Sequence, residues 1–173
     1  MLRLPQLTSR DLWLILAAFC AVIAIASLVL TSWLNLHPCH LCIFQRLLYM
    51  LLAGVGLAAG LLAPRPAARW AGIASMPLAA TGLAVALYQT WLQMQPPGSV
   101  SCVGSDPGWI ERLVEWLARL QPELFLATGF CEQAEWTLLK LSLANWSVLG
   151  FSFCLVLGYR AWRTPPERRI FRT

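Results

Sequence analysis

The sequence predicts an all-α integral membrane protein: a four-helix transmembrane bundle with a short amphipathic surface helix in its second outward loop. Of 173 residues, 58% are hydrophobic and 12% charged, too apolar a balance for an ordinary soluble domain. Four stretches, residues 12–34, 47–63, 70–95 and 141–159, contain no Asp, Glu, Lys or Arg. Each approaches the ~20 residues with which a helix crosses about 30 Å of hydrocarbon. None shows the period-2 alternation of barrel strands, so helices must satisfy the backbone in lipid. A single domain over residues 1–173 follows.

The spans are expected at about 12–34, 43–63, 70–94 and 142–161, with outward loops at about 35–42 and 95–141. Arg3, Arg10, an apolar run and Ala24-Ile25-Ala26 resemble a cleaved signal peptide. The apolar run continues through Leu28, Val29 and Leu30, however, so an uncleaved first span is expected. The second span lengthens if its helix begins at Cys42 and carries Gln45 and Arg46 into the interface. Its Gly56-Leu57-Ala58-Ala59-Gly60 segment is a G-x-x-x-G match, explained by close helix packing. In the third span Pro77 is expected to introduce a bend, and Pro96-Pro97-Gly98-Ser99 stops the helix. Between residues 109 and 119, Ile110, Leu113, Val114 and Leu117 share one face, against Glu111, Arg112, Glu115 and Arg119. This amphipathic helix is expected on the bilayer surface or docked on protein. Trp33, Trp70, Trp91, Trp146 and Trp162 stand near span ends as interfacial anchors.

Orientation follows from the basic residues. Arg3, Arg10, Arg65, Arg69, Arg160, Arg163, Arg168, Arg169 and Arg172 fall on one side; only Arg112, Arg119 and Lys140 fall on the other, with Arg46 at the membrane edge. Positive-inside places both termini and the 64–69 loop in the cytoplasm. The net charge of +5 is therefore a topology signal and gives no case for nucleic-acid binding.

The six cysteines partition by depth. Cys20 and Cys154 lie in mid-span and read as small buried hydrophobes. Cys39, Cys42, Cys102 and Cys131 face the oxidising side, where four cysteines read as two disulfides. Three pairings remain open. A bridge between Cys39 and Cys42 would close too small a loop to add much stability to a membrane bundle, so it points to redox chemistry. Cys42 opens the second helix, where unpaired N–H groups and the helix dipole favour a thiolate. Arg46, one turn deeper on the same face, reads either as a residue snorkelling to headgroups or as one that binds an electronegative acceptor beside Cys42. A quinone is an acceptor of that kind that lives in a bilayer.

These residues resemble the DsbB family, bacterial inner-membrane quinone reductases that reoxidise the periplasmic oxidant DsbA. The resemblance covers nearly the whole chain. It rests on four spans, on Cys39-His40-Leu41-Cys42-Ile43-Phe44-Gln45-Arg46 as C-x-x-C-x-x-x-R, and on the Cys102 and Cys131 pair. Leu124-Phe125, Thr128-Gly129-Phe130-Cys131, Trp136 and Leu143-Ala144-Asn145-Trp146 add to it.

The resemblance implies that a DsbA-like thioredoxin-fold partner attacks Cys102 and releases Cys131. Cys131 then joins Cys39, which leaves Cys42 as a thiolate facing quinone, with Arg46 helping to hold both. Ubiquinone is the expected quinone, with menaquinone as the alternative. A DsbA-like oxidant sits at about −120 mV, beyond the reach of ordinary thiol pools. Asn145, Phe130 and Val103-Gly104 depart from the family pattern and bear on partner preference and exchange order.

Two other readings compete. His37, Cys39, His40 and Cys42 form a dense set of zinc-ligand types, but zinc leaves Cys102, Cys131 and Arg46 unexplained, and no metal is expected. A c-type haem requires His where Ile43 stands. A membrane scaffold with static disulfides would resist mild reductant and ignore quinone. His37 and His40 read as solvated interfacial residues, with His40 also placed to influence the potential of the pair.

Overall fold

The computed structural model describes residues 7–63, 67–96, 108–131 and 137–164. Cys102, Trp136 and the loop opening beyond Pro96, on which expectations above rest, lie outside the described residues. The described chain is mostly helical.

The first helix, α1 (Ser9–Trp33), starts on a capping box: the Asp11 N–H donates to Thr8 Oγ1 at 3.2 Å and the Thr8 N–H donates to the Asp11 carboxylate at 3.0 Å. It ends where Asn35 adopts a left-handed φ of 48°, a conformation that asparagine tolerates. The Leu36 N–H then reaches the Thr31 carbonyl at 3.1 Å, closing the last turn in Schellman fashion. This sharp stop leaves six residues before α2 (His40–Leu62), which starts ahead of the expected bound at about 43. The third helix, α3 (Ala67–Gln93), continues through Pro77.

Helix α4 (Trp109–Leu120) follows. Its N-terminal Gly108 has no side chain with which to cap, and the Glu111 carboxylate instead accepts the Gly108 N–H at 2.6 Å. A single turn, α5 (Pro122–Phe125), comes next. Strands β1 (Thr137–Leu138) and β2 (Leu141–Ser142) then form an antiparallel hairpin that the all-α expectation missed. Leu139 and Lys140 turn it with φ of 54° and 65°, the mirror-image turn that two-residue hairpin loops require. Helix α6 (Leu143–Arg163) closes the chain, capped by Ser142, whose Oγ accepts the Asn145 N–H.

Helix α1 packs on α2 and α6, and α3 packs on the same two, so the four long helices form a ring. Helices α1 and α2 and the Trp70–Gln93 stretch of α3 are long and apolar enough to cross a membrane. Helix α6 has 21 residues, but Asn145 and Ser147 dilute its first turns and Arg160 and Arg163 its last.

The α1–α2 contact uses the G-x-x-x-G segment as expected. A Cβ on Gly56 would stand 3.1 Å from both the Trp13 carbonyl oxygen and the Ala17 nitrogen, which are rigid backbone atoms, whereas one on Gly54 meets nothing within 4 Å. Gly56→Val is therefore expected to cost about 1–3 kcal/mol by overpacking, with Gly54→Val near neutral; thermal unfolding of the two variants in detergent checks this.

The apolar face of α4 meets protein. Val114 is fully buried, Ile110, Leu113 and Leu117 pack against the core, and Trp109 meets Phe44 of α2 edge-on at 5.3 Å. Trp109, Trp116 and Leu120 stay exposed on a neighbouring stripe.

Candidate active site

The short α1–α2 connection makes Cys39 the N-cap of α2. Its backbone is extended, and its Sγ accepts the Cys42 N–H at 3.4 Å, the place usually taken by a Ser, Thr, Asp or Asn oxygen. The same geometry sets the two sulfurs 3.0 Å apart, with Cys39 donating to Cys42. Cys39 is buried and Cys42 half-buried, and both are thiols, as is Cys131.

The segment after α5 delivers Cys131 to this place. Phe125 of α5 is buried in the core, and the Thr128 and Gly129 N–H groups both donate to the Pro38 carbonyl, at 3.0 and 3.2 Å. Gly129 is required there, because a Cβ would overlap the His37 carbonyl. Two residues on, Cys131 is buried and hydrogen-bonded to Cys39. Hydrogen bonding to Cys131, then to Cys42, together with burial, pushes the Cys39 thiol well above the ordinary cysteine range.

Arg46 does not reach out to headgroups: it is 4% exposed and turns into the bundle. Its Nε donates to Ser27 Oγ at 3.1 Å, Nη2 to Thr31 Oγ1 at 2.8 Å and to the Ser27 carbonyl at 3.4 Å, and Nη1 to the Leu124 carbonyl at 3.1 Å. One guanidinium thus ties α2 to α1 and to the loop that bears Cys131. It also interacts electrostatically with Cys42.

Two buried glutamines complete the site. Gln89 of α3 directs its Nε2 at Cys42 Sγ (3.0 Å) and Cys39 Sγ (3.4 Å), while Gln45 Nε2 donates to Gln89 Oε1 at 2.8 Å. Sequence reasoning missed the roles of both. The signal it could have used was that an amide side chain in a charge-free span is costly without a partner. His37 is exposed and His40 half-buried at the first turn of α2. In mid-bundle, the Cys20 and Cys154 sulfurs touch at 3.4 Å, so the two buried cysteines pack against each other across α1 and α6.

A family model described as "Disulfide bond formation protein DsbB" matches residues 9–160. The chain belongs to the DsbB family. Among similar proteins, the Disulfide bond formation protein B of Dechloromonas aromatica (strain RCB) is 47% identical over 133 residues, covering 77% of this chain and 79% of that protein. The protein of the same name from Azoarcus sp. (strain BH72) is 38% identical over 161 residues, covering 91% and 94%. That of Verminephrobacter eiseniae (strain EF01-2) is 37% identical over 149 residues, covering 84% and 81%.

The DsbB family implies a quinone, and the residues present fit one. A guanidinium has five N–H hydrogens. Four of those on Arg46 are engaged by the contacts above, and the fifth, on Nη1, has no acceptor among the described residues. A carbonyl oxygen is the acceptor that such a donor takes, and Cys42, a half-buried residue, lies one turn away on the same helix.

Proposed function

We propose that this chain reoxidises a periplasmic DsbA-like dithiol protein by disulfide exchange and passes the electrons to a membrane quinone, ubiquinone being the expected acceptor and menaquinone the alternative. The single observation that carries the reading is that Cys39 lies in hydrogen-bonding contact with both Cys42 and Cys131. A static staple needs one partner sulfur; an exchange relay needs two.

In this reading a partner thiolate attacks Cys102 of a Cys102–Cys131 disulfide and Cys131 leaves. The Cys131 thiolate attacks Cys39 of a Cys39–Cys42 disulfide, and the electron pair of the broken bond stays on Cys42. The partner's second thiolate attacks its sulfur in the mixed disulfide and departs oxidised, which returns two electrons to the chain. A bound quinone supplies the two-electron, two-proton sink that regenerates the disulfides. Arg46 orients the acceptor through its remaining N–H and holds the Leu124 carbonyl, hence the loop, against α2.

The chain is a multi-pass protein of the inner membrane. In our reading α6 is a fourth crossing, since it completes the ring with three membrane-capable helices and has their approximate length. Both termini and residues 64–69 are cytoplasmic by the positive-inside rule, and the α2 N-terminus, α4 and the hairpin face the periplasm. The exposed Trp109, Trp116 and Leu120 of α4 suit the headgroup level.

The test is quinone-dependent oxidation of a reduced DsbA-like protein by the full-length chain, with Cys102→Ser and Cys131→Ser beside it. Turnover by wild type and its loss in both variants is the expected result. No turnover with either quinone class, with the outward cysteines still oxidised in mild reductant, would make them staples and end the enzyme reading.

A further inference from the structure

We infer that Gln89, locked in place by Gln45, is a positioning residue that directs the attack of Cys131 to Cys39 by holding the departing negative charge on Cys42. The inference rests on the reading of residues 39 and 42 as the redox pair and deepens it.

Gln89 is 2% exposed, and a primary amide buried in an apolar helix face is costly unless its hydrogens and its oxygen find partners. Here the two Nε2 hydrogens serve two sulfurs, and the closer is Cys42, at 3.0 Å against 3.4 Å for Cys39. The orientation of the amide matters as much as its position. Rotated by half a turn, it would aim Oε1 at a sulfur anion and repel it; the 2.8 Å bond from Gln45 Nε2 to Oε1 opposes that rotation.

Gln45 and Arg46 are neighbours on α2, three and four residues after Cys42, so both lie beneath its sulfur. They reach in different directions. Gln45 engages α3 through Gln89, while Arg46 engages α1 and the loop. Cys42 is thus served by an N–H donor from one side and a positive charge from the other.

Cys39 has a different environment: it donates its own hydrogen to Cys42 and is occupied by Cys131. In the exchange step the Cys131–Cys39 bond forms and the Cys39–Cys42 bond breaks. The electron pair goes to whichever sulfur bears the charge at lower free energy, and a better leaving thiolate leaves faster. A donor fixed in advance on Cys42 biases the step toward attack at Cys39, as preorganised donors do for developing oxyanions.

The experiment uses the full-length chain in detergent, reduced, with iodoacetamide as probe and mass spectrometry reading Cys39 and Cys42 separately. The Cys42-to-Cys39 labelling ratio at about pH 7, divided by the same ratio at about pH 10, cancels accessibility and leaves thiolate preference. Gln89→Met keeps the bulk and removes the donor; it is expected to lower this quotient about tenfold, the loss of one hydrogen bond to a charged group. Gln45→Met, which keeps the Gln89 amide but frees it to rotate, is expected to lower it about threefold, and it supplies the reading if Gln89→Met does not fold. The kcat of quinone-dependent turnover is expected to fall alongside, with the KM for quinone nearly unchanged. A quotient equal to that of wild type in the folded variants overturns the inference. If wild type itself shows no turnover while the quotient still falls in the variants, the redox reading fails and the role of Gln89 in placing charge survives.

Discussion

Cys42→Ser is expected to lower quinone-dependent turnover by at least about a thousandfold. The reason is specific to the second exchange step. In the proposed relay Cys131 attacks Cys39, and Cys42 must leave with the electron pair. A hydroxyl in place of the thiol forms no bond to Cys39 that could break, so the chain has no second disulfide to consume. The fold should barely respond, because the substituted side chain keeps a small polar atom near the Gln89 amide and leaves the Cys39 cap intact. Thermal unfolding close to that of wild type, measured beside the oxidation assay, separates a chemical loss from a structural one. Turnover within tenfold of wild type would mean that Cys42 is not the leaving sulfur.

Arg46→Met is expected to act twice. It removes a buried charge that makes four hydrogen bonds across α1, α2 and the loop, and it strands the half-buried acceptors at Ser27 and Leu124. The net cost should be on the order of 2–3 kcal/mol, less than the sum of the bonds because the desolvation of the charge is also relieved. It also removes the N–H assigned to the acceptor, so the apparent KM for quinone should rise about tenfold or more. Arg46→Lys discriminates between charge and shape. A lysine keeps the charge near Cys42 but lacks the planar fork that reaches Ser27, Thr31 and Leu124 together. It should recover part of the stability and little of the quinone dependence. Unfolding in detergent and a quinone titration read the two effects independently. A variant whose melting falls while its quinone titration is unchanged would make Arg46 structural only.

What the sequence revealed, and what it hid, divides by distance along the chain. Cys42 and Arg46 sit within one stretch whose geometry the helix itself dictates, so their shared face was legible from spacing alone. The Gly56 and Gly60 contact was legible for the same reason, since a repeat of four marks one side of a helix. Gln45 and Gln89 are 44 residues apart, and each alone is an ordinary amide; only the packing of α2 on α3 makes them a unit. The Leu124 carbonyl on Arg46 has no sequence signature at all, because a backbone oxygen carries no residue identity. The hairpin before α6 escaped because Leu139 and Lys140 occupy left-handed positions where Asn and Gly usually advertise such a turn. The amphipathic face of α4 was readable, but periodicity does not say whether lipid or α2 covers it, and here α2 does so for one part of that face.

The cap of α2 has a consequence of its own. The hydrogen bond that anchors the first turn of this helix ends on the sulfur of Cys39, an atom whose bonding partner changes in every proposed catalytic cycle. When Cys39 is drawn toward Cys131, its lone pairs are drawn with it, and the Cys42 amide is left to find another acceptor. The order of that turn and the electron count of the site therefore depend on one atom. In the proposed cycle, a helix terminus built this way registers the redox state of the site in its own backbone.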